Sequence, residues 1–131
     1  VGIGLGAMRE ALAYSKERAQ FGHAVSEFQA IQWMFADMGT ELEAAELMTF
    51  RAAALKDAGR PYTREAAMAK LFASEAAMRA TIKAVQVFGG YGYTQEYPAE
   101  RYMRDAKLCE IGEGTSEVQR IIIARDLIRS H

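Results

Sequence analysis

Apolar and small residues recur in steps of three and four along most of the chain, which is the spacing of one face of an α-helix. The clearest run covers residues 27–58 and is followed by Gly59 and Pro61, residue types that end helices. Its seam consists of Phe28, Ile31, Phe35, Met38, Leu42, Ala45, Thr49 and Ala52. A second helix is predicted over residues 63–88, ending at Gly89. Its stripe consists of Ala67, Leu71, Ser74, Met78, Thr81, Val85 and Phe88.

Three further helices are predicted over residues 1–19, 98–108 and 115–129, with loops at 20–27, 91–97 and 111–114. Thr115 or Ser116 is the expected cap of the last helix. The inner face of that helix is predicted to hold Val118, Ile121, Ile122, Ala124 and Ile128. No stretch shows strand alternation. We therefore expect an all-α protein, an antiparallel helical bundle with four main helices plus one short helix.

Length and composition exclude several classes of function. One domain, residues 1–131, fits the length, and the absence of a cap before Val1 suggests a piece of a longer protein. The net charge of -1 removes the basic surface expected of a nucleic-acid binder. One cysteine allows no internal disulfide, and two histidines exclude a multi-histidine metal site. The longest uncharged stretch, residues 84–95, is too short to span a membrane.

Glu113 stands between Gly112 and Gly114, just before a predicted helix. An apolar pocket there would desolvate the carboxylate and make it a stronger base, as general-base catalysis requires. The alternative is a flexible surface loop, which spacing alone favours.

Two other stretches have a similar ambiguity. Arg18 stands with Phe21 at a helix end, where the guanidinium is either a phosphate ligand or a solvated terminal charge. Gln86 precedes Gly89 and Gly90, and such a glycine pair either lets backbone approach a ligand or simply ends the helix.

Two apparent motifs have simpler interpretations. Residues 2–7 fit the loose dinucleotide pattern G-x-G-x-x-A, but no strand precedes them. Gly2, Gly4 and Gly6 are therefore interpreted as small residues for close helix packing. Cys109 has no nucleophile signature and is predicted to be a small buried residue.

Taken together and in order, several segments resemble the carboxy-terminal domain of the acyl-CoA dehydrogenase family. The matching sequences are Arg-Ala-Gln-Phe-Gly at 18–22, Phe-Gln-Ala at 28–30, Gln-Val-Phe-Gly-Gly-Tyr-Gly at 86–92, Glu-Tyr-Pro at 96–98, Arg-Asp-Ala-Lys at 104–107 and Glu-Gly-Thr-Ser-Glu at 113–117. The resemblance covers essentially the whole chain. It implies that an amino-terminal helical domain and a middle β domain belong to the complete protein.

The resemblance also implies FAD as cofactor and oxidation of an acyl-CoA thioester to its trans-2-enoyl form. Electrons then pass to an electron-transferring flavoprotein. Glu113 matches the base that takes the α-proton, and Gly114 borders the substrate. The matched cofactor contacts are Arg18, Phe21, Gln29, Gln86, Gly89 and Gly90 toward the FAD of a neighbouring subunit, and Thr115 and Glu117 toward the subunit's own FAD.

The same resemblance implies a homodimer or homotetramer and a soluble protein of the bacterial cytoplasm or the mitochondrial matrix. Gly112 departs from the tyrosine that many relatives carry before the base, which leaves more room near the acyl group. Two alternatives stay open. One is an acyl-CoA oxidase that passes electrons to oxygen, and the other is a non-catalytic helical oligomerisation module.

Overall fold

The structure, a computed structural model, describes residues 1–130 and consists almost entirely of helices. Five long helices alternate with short connections, and a small hairpin and a four-residue helix complete the chain. In order these are α1 (Gly2–Glu17), β1 (Ala19–Gln20), β2 (His23–Ala24), a 3-10 turn (Val25–Glu27), α2 (Gln29–Asp57), α3 (Thr63–Phe88), α4 (Gly90–Tyr93), α5 (Ala99–Ile111) and α6 (Ser116–Ser130). The prediction of an all-α helical bundle is confirmed.

Helix α3 is the centre of the bundle and packs against α1, α2, α5 and α6. Its buried positions are mostly small and are not confined to one stripe. They are Ala67, Ala69, Ser74, Ala76, Ala77, Ala80, Thr81, Ala84, Val87 and Phe88. Because alanine side chains are short, neighbouring helices can approach α3 closely on several sides.

Larger side chains fill two neighbouring parts of the core. Met38 and Leu42 of α2 are fully buried and cluster with Ala80. At the end of α3, Phe88 stacks on Tyr14 with ring centroids 4.3 Å apart. The predicted α2 seam is buried at Met38, Leu42, Ala45 and Ala52, whereas Thr49 is exposed.

The glycines of α1 are explained by helix packing at two of three positions. A Cβ on Gly4 would lie 2.5 Å from Leu42 Cδ2, and one on Gly6 would lie 3.1 Å from the Tyr102 ring. A Cβ on Gly2 would meet nothing within 4 Å. The packing interpretation is therefore confirmed for Gly4 and Gly6 and does not explain Gly2.

Three local predictions were wrong. The 20–27 loop contains part of an antiparallel hairpin, in which Ala19 pairs with Ala24 and Gln20 with His23. The hairpin turns at Phe21 and Gly22 with φ of 54° and 82°, as two-residue turns of the I′ type require. The predicted 91–97 loop begins inside α4, and α5 continues to Ile111.

The predicted inner face of α6 was also wrong. Val118, Ile121, Ala124 and Ile128 are exposed, and Ile122 is half-buried. The buried residues of α6 are Ser116 and Gln119, because the helix meets α3 through its first turn and a polar edge. Within residues 1–130, nothing covers its apolar face. No helix of this part of the chain is long and apolar enough to cross a membrane.

Candidate active site

The segment between α5 and α6 has an unusual backbone at Glu113. Gly112 closes α5 by donating its N–H to the Leu108 carbonyl at 2.8 Å. Glu113 and Gly114 then adopt φ of 58° and 87°. The left-handed conformation is ordinary for glycine but unfavourable for glutamate, whose Cβ crowds the backbone. Backbone strain of this kind persists only where surrounding contacts enforce it.

Two side chains supply those contacts. The Gln119 amide donates to the carbonyl oxygens of Glu113 and Gly114 at 3.1 and 3.2 Å. The Lys70 ammonium donates to the Gly114 carbonyl at 2.7 Å. The loop is therefore held from α3 on one side and from α6 on the other.

Glu113 lines a groove of about 500 Å³. The other lining residues are mainly apolar or small and come from α1, α3 and α5: Val1, Ile3, Lys70, Ala73, Ser74, Ala77, Leu108, Cys109 and Gly112. The apolar surroundings expected for Glu113 are present. Its side chain is nevertheless exposed, because the groove is open and residues 1–130 provide no lid.

Cys109 belongs to this groove and is exposed, so the prediction that it is buried was wrong. The buried residues of α5 are Ala99 and Ala106. The Cys109 thiol lies 3.7 Å from the Asp105 carbonyl one turn earlier on the same helix.

The start of α6 presents a second group of polar atoms beside the groove. Thr115 caps the helix, since its hydroxyl accepts from the Val118 N–H at 3.4 Å. The Ser116 hydroxyl is buried and has no hydrogen-bond partner within residues 1–130. The pKa of Glu117 is held below its ordinary value, first by its own backbone N–H and then by the Thr115 hydroxyl. Glu117 is therefore ionised at neutral pH.

Arg18 lies at the other end of the bundle, in a groove of about 400 Å³ that Gly89 and Gly90 also line. Its guanidinium carbon sits 5.9 Å from the centroid of the Tyr91 ring. Gly89 has φ 61° and ψ -136°, a conformation open essentially to glycine alone. A Cβ on Gly90 would meet nothing within 4 Å, so this stretch of backbone is open to an approaching ligand.

Phe21, Gln29 and Gln86 lie toward this same end. Phe21 is at the tip of the hairpin, is 91% exposed, and meets the Phe28 ring edge to face at 6.5 Å. Gln29 begins α2 and Gln86 lies in the last turn of α3, and both are exposed. The Phe21 ring is therefore accessible to another molecule at this end of the bundle.

The predicted site residues thus form two groups at opposite ends of α3. Lys70 contacts the Glu113 loop, whereas Gly89 follows the last residue of α3. Nineteen positions separate these two residues, which corresponds to roughly 28 Å along a helix. The two groups therefore cannot form one compact pocket in a single copy of the chain.

The sequence interpretation missed Lys70 and Gln119. For Lys70 a signal was present, because Ala66, Ala67, Ala73, Ser74 and Ala77 share its helix face at spacings of three, four and seven. A charged side chain on such a small-residue face requires a specific polar partner. Gln119 gave no comparable signal, since its partners are backbone carbonyls.

Known proteins resemble this chain in sequence and in fold. The family description "Acyl-CoA dehydrogenase, C-terminal domain" matches residues 1–128. The chain belongs to the acyl-CoA dehydrogenase family. Similar members include the short-chain specific acyl-CoA dehydrogenase, mitochondrial, of Bos taurus. It is 51% identical over 131 residues, which is 100% of this chain and 32% of the bovine protein.

Solved structures agree with the fold. Butyryl-CoA dehydrogenase from Megasphaera elsdenii superimposes with a TM-score of 0.96 at 49% identity, over 97% of this chain and 33% of that one. A chain in the structure named for the electron transferring flavoprotein of Acidaminococcus fermentans gives 0.97 at 58% identity, over 98% of this chain and 34% of that one. The present chain spans about a third of the length of these relatives.

Proposed function

We propose that residues 1–131 act as the carboxy-terminal helical bundle domain of an FAD-dependent acyl-CoA dehydrogenase, with amino-terminal helical and middle β domains completing the enzyme. Glu113 is the base that removes the α-proton of the acyl-CoA thioester. The observation that supports this role most directly is the position of Glu113 on the wall of an apolar groove, in a loop that hydrogen bonds from α3 and α6 hold in place.

The chemistry follows from the groove. An acyl chain that fills it displaces water from the carboxylate, which destabilises the charged form and strengthens the base. Glu113 then takes the α-proton. FAD held by the Arg18 group of one copy and by Thr115 and Glu117 of another would supply the acceptor for the β-hydrogen and its electron pair, which would leave the trans-2-enoyl thioester. Gly114 borders the substrate, and its lack of a side chain makes room for the Gln119 amide that holds the Glu113 loop.

The residues present fit a flavin dinucleotide at both ends of α3. The buried Ser116 hydroxyl needs a partner, and it lies between Thr115 and Glu117 at a helix start, where backbone N–H groups favour phosphate and other acceptors. At the far end, the Arg18 guanidinium and the open Gly89–Gly90 backbone suit a diphosphate. Phe21, Gln29 and Gln86 extend that surface.

The separation of the two groups supports an oligomeric enzyme. We infer that each FAD is held by Thr115 and Glu117 of one copy and by the Arg18 group of a neighbour, so that the functional form is a homodimer or homotetramer. The exposed side chains of Phe21 and of α6 are surfaces that such an assembly can cover.

The names of similar proteins guide the choice of the proposed substrate and electron acceptor. Those named above carry the names short-chain specific and butyryl-CoA dehydrogenase, which favours a short acyl-CoA. Gly112 leaves the groove open beside the base, because a Cβ there would meet only the Leu108 carbonyl, at 3.3 Å. An electron-transferring flavoprotein is the proposed acceptor.

The test uses the full-length enzyme. Purified protein is mixed with butyryl-CoA without oxygen, and the absorbance of oxidised flavin is followed. We expect bleaching together with formation of the 2-enoyl thioester. Added electron-transferring flavoprotein should restore the absorbance faster than air does. Peroxide formed in air at the full turnover rate would identify an oxidase instead, and a protein without flavin would contradict the proposal.

A further inference from the structure

We propose that Lys70 and Gln119 are positioning residues for Glu113. Their side chains donate hydrogen bonds to the backbone carbonyls of Glu113 and Gly114. These bonds fix the direction in which the Glu113 carboxylate enters the groove. This inference rests on the proposed role of Glu113 as the base.

Lys70 differs from Lys83 and Lys107 in what it binds. The ammonium groups of Lys83 and Lys107 lie 2.8 and 2.6 Å from carboxylates of Asp37 and Glu110. Lys70 is half-buried and, within residues 1–130, forms no ion pair with a carboxylate. Its hydrogen bonds go to the carbonyls of Gly114 at 2.7 Å and Glu110 at 3.5 Å.

Through these two carbonyls, Lys70 of α3 contacts both the end of α5 and the Glu113 loop. The Glu110 carbonyl is among the last four of α5, where a cation is favoured because the carbonyls lack helical partners. The Gly114 carbonyl lies one residue beyond the base. A hydrogen bond from a charged donor is stronger than one between neutral groups, so Lys70 joins α3, the end of α5 and the Glu113 loop firmly.

Gln119 holds the same loop from the opposite side. Its side chain is 7% exposed, and its amide nitrogen donates to both the Glu113 and the Gly114 carbonyl. A Cβ on Gly114 would lie 2.9 Å from that nitrogen, so the amide and the loop are in close contact. With both carbonyls bound, the peptide planes on the carboxyl side of Glu113 cannot rotate freely.

This restraint bears directly on proton transfer. Glu113 keeps a φ of 58°, which its Cβ disfavours, so released carbonyls would let the backbone relax and move the carboxylate. Displacing a reacting group by about 1 Å lowers a rate by up to roughly 100-fold. We therefore expect loss of either contact to slow α-proton removal by about 10- to 100-fold.

The experiment measures proton transfer without the redox step. The full-length enzyme is incubated in D2O with a 3-thiaacyl-CoA, which has an α-proton but sulfur in place of the β-carbon, so no hydride can leave. Deuterium incorporation is followed by mass spectrometry. The variants are Lys70→Met, Lys70→Arg and Gln119→Leu, with Lys83→Met as the matched control on the same helix.

Lys70→Met and Gln119→Leu should each slow exchange about 10- to 100-fold at unchanged FAD content and unchanged affinity for the analogue. Lys70→Arg, which keeps the charged donor, should recover part of the rate, and Lys83→Met should match the wild type. Exchange at the wild-type rate in both Lys70→Met and Gln119→Leu overturns the proposal. Exchange that falls only in proportion to lost FAD also overturns it, because the role is then structural.

Glu113→Gln separates this inference from the proposed function. If Glu113→Gln exchanges at the wild-type rate, Glu113 is not the base and the proposed function fails. If exchange is lost in Glu113→Gln but kept in Lys70→Met and Gln119→Leu, only the positioning role fails.

Discussion

Two glycines inside long helices should respond in opposite ways to the same substitution. Gly4 lies in the first turn of α1, and Gly39 lies in the interior of α2. A Cβ on Gly39 would meet nothing within 4 Å, whereas one on Gly4 would lie 2.5 Å from Leu42 Cδ2 and 3.3 Å from Ala77 Cα. Gly39→Ala should stabilise the fold and Gly4→Ala should destabilise it.

The magnitudes follow from two opposing effects. Alanine is favoured over glycine in a helix interior by about 1 kcal/mol, which Gly39 gains in full and Gly4, in the first turn, gains at most. At Gly4 the added methyl group overpacks a fully buried leucine and a neighbouring backbone, which typically costs about 1–3 kcal/mol. The net change is therefore about 1 kcal/mol of stabilisation for Gly39→Ala and about 1 kcal/mol of destabilisation for Gly4→Ala.

Urea unfolding of the two variants, followed by far-UV circular dichroism beside the parent chain, measures both changes in the free energy of unfolding. Equal stabilisation by Gly4→Ala and Gly39→Ala would refute the reasoning. It would mean that α1 and α2 are not packed as closely as the Gly4 contact with Leu42 indicates, and the glycines of α1 would need another explanation.

Three further predictions concern the site and the charge of the bundle. Arg18→Ala in the full-length enzyme should weaken FAD binding about 10- to 100-fold by fluorescence titration, while Arg9→Ala at an exposed position should not, because only Arg18→Ala removes the proposed charged hydrogen bond to the FAD diphosphate. Gly112→Leu should leave the thermal midpoint nearly unchanged, since φ is -69°, yet lower kcat/KM for acyl-CoA by narrowing the groove. The pKa of Glu65 is lowered, first by its own backbone N–H and then by Arg64. Its stabilising effect is present above the unfolded pKa and lost as the pH falls through the folded one, so Glu65→Gln should lower the thermal midpoint at pH 7 and have no effect well below pH 4.5.

Helical spacing predicted where the long helices lie, but it did not predict which of their faces are covered by other parts of the chain. The α2 and α3 boundaries followed from Gly59, Pro61 and Gly89, whose backbone preferences are local. The predicted inner face of α6 was wrong, because periodicity shows only that a face is apolar and not what covers it. The Phe21 hairpin was missed because its two-residue strands are too short to alternate.

Among the residues of the candidate site, some could likewise be predicted from the sequence and others could not. Spacing alone favoured a flexible loop at Glu113, and it was the family resemblance that made this residue the candidate base. Lys70 and Gln119 were not predicted, because a side chain that binds a backbone carbonyl imposes no requirement on the residue type of its partner. Lys70 and Gly114 are also 44 positions apart, so only the folded chain brings them together.

The most direct test of the account is the rate of flavin reduction by an acyl-CoA in the full-length Glu113→Gln variant, measured without oxygen beside the exposed control Glu43→Gln. If Glu113 removes the α-proton, Glu113→Gln should retain FAD and lose reduction by at least about 100- to 10,000-fold, with Glu43→Gln unchanged. Reduction of the Glu113→Gln flavin at the wild-type rate would contradict the central claim.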